Sequence, residues 1–179
     1  MQKRRDITLI LGGTSSGKSA WAERYILKKG QKVGYIATAQ ALDAEMKEKI
    51  AQHRGRRGDE WTTREEPLNI ISCFDAFPAE KPILLDCATL WLSNLVLAEK
   101  NVAAESSAFI DYLHNYTGKL VIVSNETGLS VVPHTRIGRD FQKAQGQLNQ
   151  QLASVANRVV FVVSGLPLLL KGKLERQST

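Results

Sequence analysis

A chain of 179 residues holds about one domain at roughly 150 residues each, enough to bury a real core and short for a two-domain enzyme. With 43% hydrophobic and 23% charged residues, disorder is excluded as a description of the whole chain. Twenty-four Lys and Arg against 18 Asp and Glu leave a formal charge of +6, which favours an anionic partner (nucleotide, nucleic acid or acidic lipid) without choosing one.

In chain order, the charged start at Met1 to Arg5 precedes an apolar run over 7–11 that is too short for a signal-peptide core and reads as a buried strand. A glycine-rich loop over 12–19 follows. A helix is expected over 18–29, with Ala22, Ile26 and Leu27 on one side and Gly30 as its C-cap. A strand over 33–37 leads to a helix over 43–54, where Met46, Ile50 and His53 form one stripe and Glu45 and Lys49 are spaced for an ion pair. The segment from Trp61 reads as a short extended piece entering a helix with Pro67 at its first position, Glu65 and Glu66 being first-turn acids. Strands over 83–85, 120–123 and 159–163 alternate with helices over 89–98, 107–115 and 141–156.

Continuously apolar strands alternating with helices predict an α/β fold, a single domain with a mostly parallel sheet covered on both faces, hence three layers. The long apolar stretches over 82–98 and 159–170 are broken by polar residues or proline, so no membrane span is expected. Cys73 and Cys87 form neither a C-x-x-C pair nor a metal-ligand spacing with the three histidines, and a reducing, cytoplasmic setting follows as the expectation. The basic clusters Lys3-Arg4-Arg5 and Arg54-Gly55-Arg56-Arg57 are not interleaved with aromatics, which argues against a nucleic-acid surface.

Parallel sheets bind ligands at the carboxyl ends of their strands, which here carry the glycine loop, Thr38, Asp86 and Ser124-Asn125-Glu126. Gly12-Gly13-Thr14-Ser15-Ser16-Gly17-Lys18-Ser19 satisfies G-x-x-x-x-G-K-[ST] between an apolar strand and a helix. In that setting backbone N–H groups and the helix N-terminus cradle phosphates. Lys18 is expected to bridge the β- and γ-phosphates, and the Ser19 hydroxyl to take one Mg²⁺ position. Asp86 closes an apolar strand in the manner of the acid that holds Mg²⁺ directly or through water. Ser124-Asn125-Glu126-Thr127 lacks the Lys and Asp of a guanine-reading N-K-x-D, which disfavours a GTPase switch. His53 ends an apolar stripe and is followed by Arg54, Arg56 and Arg57. That grouping could hold a triphosphate against a neutral imidazole nucleophile, the alternative being a core histidine.

A resemblance then covers nearly the whole chain. It is carried by Gly12 through Ser19, Tyr35-Ile36-Ala37-Thr38-Ala39, Asp43, Glu45-Met46, Ile50 and His53, Trp61, Thr63 and Glu65-Glu66-Pro67. It continues through Leu85-Asp86-Cys87, Thr89 to Asn94, Ser124-Asn125-Glu126, Gly128, Val132-Pro133, Arg139, Phe141, Gly146, Asn149-Gln150 and Val163 to Leu168. In these the sequence resembles the bifunctional adenosylcobinamide kinase / adenosylcobinamide-phosphate guanylyltransferase family of cobalamin biosynthesis. The resemblance implies a P-loop NTPase-like domain, Mg²⁺, GTP and ATP as substrates, a corrinoid acceptor (adenosylcobinamide) and a homotrimer with sites near subunit boundaries. It makes His53 the guanylylated histidine and implies nucleotide contacts at the loop, at Ile36, Ala37 and Thr38, and at Glu65 and Asp86. The chain departs from the family pattern at Ser15 (usually Arg), Ser130 (usually Gly) and Gln142-Lys143 (usually Arg-Asp). Two other readings compete: a P-loop small-molecule kinase without guanylyl transfer, and a nucleotide-gated nucleic-acid-binding protein.

Overall fold

The computed structural model describes residues 5–27, 30–41, 44, 47–48, 51, 55 and 57–174. In chain order its elements are β1 (Arg5–Gly12), α1 (Lys18–Ile26), β2 (Val33–Ala37), β3 (Trp61–Glu65), α2 (Ile70–Phe74), β4 (Ile83–Asp86), α3 (Ala88–Leu97), α4 (Val102–Asn115), β5 (Gly118–Asn125), α5 (Arg136–Val155), β6 (Arg158–Val163) and β7 (Leu166–Lys171). The strands form one sheet in the order β3-β2-β4-β5-β1-β6-β7, parallel throughout except for the antiparallel β6–β7 pair.

Strand alternation sorts the core into two layers. On one face Ile7, Leu9, Leu11, Leu85, Leu120 and Ile122 pack with Trp91, Leu92 and Leu95 of α3, Phe109 and Leu113 of α4, and Leu148 and Leu152 of α5. On the other, Ile10, Tyr35, Leu84, Val121, Val123 and Val160 pack with Ala22 and Ile26 of α1. The central strands are buried on both faces over most of their length and are therefore largely apolar between their ends, with polar residues concentrated at the ends, as a parallel sheet requires. Among the described residues no helix is long and apolar enough to cross a membrane.

Several boundaries differ from the sequence reading. Helix α1 stops at Leu27, whose extended backbone still donates its N–H to Glu23, while Gly30, at φ 79°, serves the turn before β2. Pro67 is not a first helical residue: α2 starts at Ile70, and the Glu66 carboxylate accepts the N–H groups of Leu68 and Asn69 ahead of it. Helices α4 and α5 begin earlier than their apolar periodicity, because Asn101 and Thr135 cap exposed first turns by accepting from Ala104 and Gly138. The extended piece from Trp61 is a paired edge strand. Strand β7 is new, produced by the two-residue turn Ser164-Gly165, where both φ angles are positive and reverse the chain onto β6. Of the expected helix over 43–54, Ala44, Lys47, Glu48 and Ala51 are helical; Asp43, Glu45, Met46, Lys49, Ile50, His53 and Arg54 lie outside the described residues.

Candidate active site

The glycine loop bridges β1 and α1 at the carboxyl edge of the sheet. Ser15 and Gly17, at φ 58° and 87°, curl it, and the Ser16 N–H closes onto the Gly13 carbonyl at 3.3 Å. Two of its glycines are dictated by space. A Cβ on Gly12 would lie 2.5 Å from Ser16 Oγ and 2.7 Å from the Val162 carbonyl, and one on Gly17 would lie 3.2 Å from Gly165 Cα. The β6–β7 turn thus buttresses the loop, and the Gly165 N–H donates to the Ser16 carbonyl at 2.8 Å.

Lys18, the first residue of α1, folds back so that Nζ donates to the Gly13 carbonyl at 3.1 Å, and only 9% of it is exposed. Burial lowers its pKa, while nearby Cys87 and Asp86 oppose that shift. At the next residue, Ser19 Oγ lies 3.5 Å from Asp86 Oδ1. Asp86 Oδ2 accepts from the Tyr35 hydroxyl at 2.9 Å. Tyr35 is itself buried between Arg57, whose guanidinium carbon lies 3.4 Å from the ring centroid, and the edge of Trp61. Arg57 Nε is 3.9 Å from the Glu23 carboxylate. Burial first, and Asp86 second, push the Tyr35 phenol well above its ordinary pKa, so it remains a donor to the carboxylate.

The other expected residues fall into place unevenly. Thr38 is fully buried and braces the ends of β2 and β4: its N–H donates to the Asp86 carbonyl, and its hydroxyl donates to the Cys87 carbonyl and accepts from the Cys87 N–H. Its own carbonyl accepts from Asn94 Nδ2. The Ile36 side chain belongs to the core, and Ala37 is half-buried beside Glu65, its register partner, on the exposed edge. His53, Arg54 and Arg56 lie outside the described residues. Sequence reasoning missed Tyr35 and Gly165 as parts of the site. Alternation was the available signal for Tyr35, since positions 35 and 37 share a face at the carboxyl end of a strand.

Ser19 and Asp86 are hard oxygen donors converging beside the phosphate loop, and no cluster of three His, Cys, Asp or Glu side chains exists among the described residues. That donor set fits a Mg²⁺ carried largely by nucleotide phosphates and water rather than a protein cage. A separate depression of about 340 Å³, lined by Phe74, Phe77, Ile83, Tyr112 and Tyr116, lies at the opposite edge of the sheet, where β4 begins.

A family profile described as cobinamide kinase / cobinamide phosphate guanyltransferase matches residues 8–170. The chain belongs to this family. The cobinamide kinase / guanyltransferase profile thus runs from within β1 to within β7 and takes in every element between them. Among curated relatives, the chain is 45% identical over 168 residues to the bifunctional adenosylcobalamin biosynthesis protein CobP of Pseudomonas aeruginosa, covering 92% of this chain and 97% of that one. It is 37% identical over 180 residues to the bifunctional adenosylcobalamin biosynthesis protein CobU of Escherichia coli, covering 91% and 98%. Solved structures extend the likeness to the fold alone. A Pyrococcus horikoshii protein superposes with a TM-score of 0.54 at 9% identity, covering 93% of this chain and 86% of that one. An ATPase from the type III secretion system of pathogenic bacteria gives 0.54 at 8%, covering 92% and 56%. The α/β P-loop architecture expected of the cobinamide kinase / guanyltransferase family is therefore the one this chain adopts.

Proposed function

We propose that the protein carries both activities its family is named for. It phosphorylates the aminopropanol hydroxyl of adenosylcobinamide with ATP or GTP, then transfers GMP from GTP to that phosphate, giving adenosylcobinamide-GDP and pyrophosphate. The observation that carries the reading is the convergence of the buried Lys18 ammonium with Ser19 and Asp86 at the phosphate loop, in a chain that matches the family over residues 8–170.

In the first half-reaction, the loop N–H groups and Lys18 bind and orient the triphosphate and stabilise the charge that builds on the transferred phosphoryl group. The Gly13 carbonyl keeps the ammonium aimed across the loop. Ser19 and Asp86 would hold Mg²⁺, whose chemistry is to neutralise phosphate charge; the Tyr35 hydroxyl and the Arg57 stack fix the carboxylate for that task. In the second, a His53 imidazole nitrogen forms a bond to the α-phosphorus as the bond to pyrophosphate breaks. The corrinoid phosphate oxygen then takes the GMP and the phosphorus–nitrogen bond breaks. Arg54, Arg56 and Arg57 contribute positive charge around this step, and Glu65 and the β2 end contribute to the nucleotide pocket.

A homotrimer with sites near its subunit boundaries completes the proposal, supported by the exposed apolar residues Val163, Leu166, Leu168 and Leu170 on the β6–β7 hairpin. Work in the reducing cytoplasm accords with Cys73 and Cys87 both being free thiols. The decisive assay incubates enzyme with adenosylcobinamide, GTP and Mg²⁺ and resolves products by mass: both the phosphate and the GDP derivative are expected. GTP labelled at the α-phosphate, without corrinoid, should leave acid-labile label on the wild type and none on His53→Ala, which keeps its kinase activity. Labelling that persists in His53→Ala assigns the nucleophile elsewhere.

A further inference from the structure

Strand β5 runs between β1, which delivers the phosphate loop, and β4, which delivers Asp86. Its last residue, Asn125, is the register partner of Gly12, while Asp86 pairs two residues earlier with Val123. Alternation fixes the faces. Leu120 and Ile122 pack toward α3–α5, and Ser124 continues that side, its hydroxyl donating to Asn149 Oδ1 at 2.7 Å and accepting from Gln145 Nε2 at 2.9 Å. Val121 and Val123 pack toward α1, so Asn125 continues the side on which the phosphate loop enters α1 and on which Asp86 lies, in step with Leu84.

The main chain of Asn125 is held from three directions. Its N–H donates to Thr89 Oγ1 at 2.7 Å, its carbonyl accepts from Asn149 Nδ2 at 2.9 Å, and the next N–H, that of Glu126, donates to the Gly12 carbonyl at 3.0 Å. The side-chain amide is treated differently. Its Oδ1 is buried without a hydrogen-bond partner, and so is Ser16 Oγ, which sits over Gly12. Native structures rarely bury such groups unsatisfied, and unpartnered ones collect where a ligand completes them. Rotation about the last torsion of Asn125 exchanges the two ends of its amide, so the NH₂ can be presented to an anion.

We propose that Asn125 is a catalytic residue of the kinase step: its amide NH₂ donates to the terminal phosphate of the nucleotide held in the phosphate loop. This deepens the proposed function and rests on the reading that Gly12 through Ser19 bind a triphosphate. Strand order places Asn125 between the strand that leads into the phosphate loop and the strand that ends in Asp86, so its donor approaches the phosphoryl group from a third strand end. The contact exists only with a triphosphate, since a diphosphate ends short of it.

Calorimetric titration with GDP and with the non-hydrolysable imidotriphosphate of guanosine, in Mg²⁺, tests the assignment in the wild type, Asn125→Ala and Asn125→Asp. Both variants should bind GDP as the wild type does, lose about tenfold of the preference for triphosphate, and turn over adenosylcobinamide about 10²-fold more slowly. Asn125→Asp should be the worse, because it places a carboxylate against phosphate. Equal weakening of both nucleotides, in either variant, would make the residue structural and overturn the proposal, as would unchanged triphosphate preference and turnover. If Asn125→Ala fails to fold, the isosteric Asn125→Asp alone decides. A wild type that binds neither nucleotide would instead refute the phosphate-loop reading.

Discussion

Lys18 occupies a position that lowers the stability of the fold it serves. Its pKa falls below the usual 10.5 because burial disfavours the ammonium, which means the folded state binds its proton less readily than the unfolded chain does. The penalty is fully present below the lowered value and fades as pH rises through the window between it and 10.5. Lys18→Met fills the same space without charge. It should raise the melting temperature at neutral pH by about 2–4 °C, worth about 1 kcal/mol, while cutting kinase turnover by about 10²–10³-fold. A calorimetric scan beside a turnover assay checks both; a less stable and still active variant contradicts the assignment. Asp86 calls for a different measurement, because its carboxylate is shared between Ser19 and Tyr35. Asp86→Asn keeps the shape and removes the charge that a hard cation requires. The Mg²⁺ concentration for half-maximal turnover should rise about tenfold or more, and Mn²⁺ binding to the enzyme–nucleotide complex, read by its electron-spin signal, should weaken in parallel.

At the scale of elements, the β6–β7 hairpin does more than close the sheet. Gly165 meets Gly17 and donates to Ser16, so the hairpin and the phosphate loop share a contact. Gly165→Val forces a β-branched residue to φ 78°, at about 1–2 kcal/mol, and should weaken GDP binding in proportion to the lost stability. Thermal melting with GDP titration reads both, and full GDP affinity in the destabilised variant would uncouple the two elements. This contact also shows what could be read from the sequence. The loop motif, the five buried strands and Asp86 were legible because each combines a local pattern with a required spacing. Hairpin β7 was not, since 166–170 is continuously apolar yet exposed, and an apolar run carries no sign of which side meets solvent. The early starts of α4 and α5 were hidden for the opposite reason: exposed first turns lack apolar periodicity, although Asn101 and Thr135 were visible as caps. Tyr35 is among the residues that carry the family resemblance, but its tie to Asp86 depends on β2 and β4 being neighbours, which only the sheet order supplies.

At the scale of the whole molecule, the surface of the hairpin requires an explanation. Leu166 and Leu168 alternate onto one face of an edge strand, Leu170 follows at a register shift, and the three are 71%, 57% and 57% exposed; Val163, the register partner of Leu166, is 51% exposed. Exposed apolar edge strands invite pairing and are rarely left bare in a monomer. Leu129, Val131, Val132 and Ile137 add a second exposed apolar group between β5 and the start of α5. If the copies of the proposed trimer associate through the hairpin, the contact also bears on Gly165 and through it on the phosphate loop, so assembly and nucleotide binding are coupled. Light scattering behind gel filtration should then return three chain masses for the wild type. Replacing Leu168 and Leu170 by Glu places charges in the stripe, leaves the core clusters untouched because neither side chain belongs to them, and should return one chain mass. The same variant should show far-ultraviolet dichroism like that of the wild type, together with weaker GDP binding. A wild type that elutes at one chain mass, or a double variant that still assembles, would leave the hairpin leucines without a role in association and detach the phosphate loop from the oligomer.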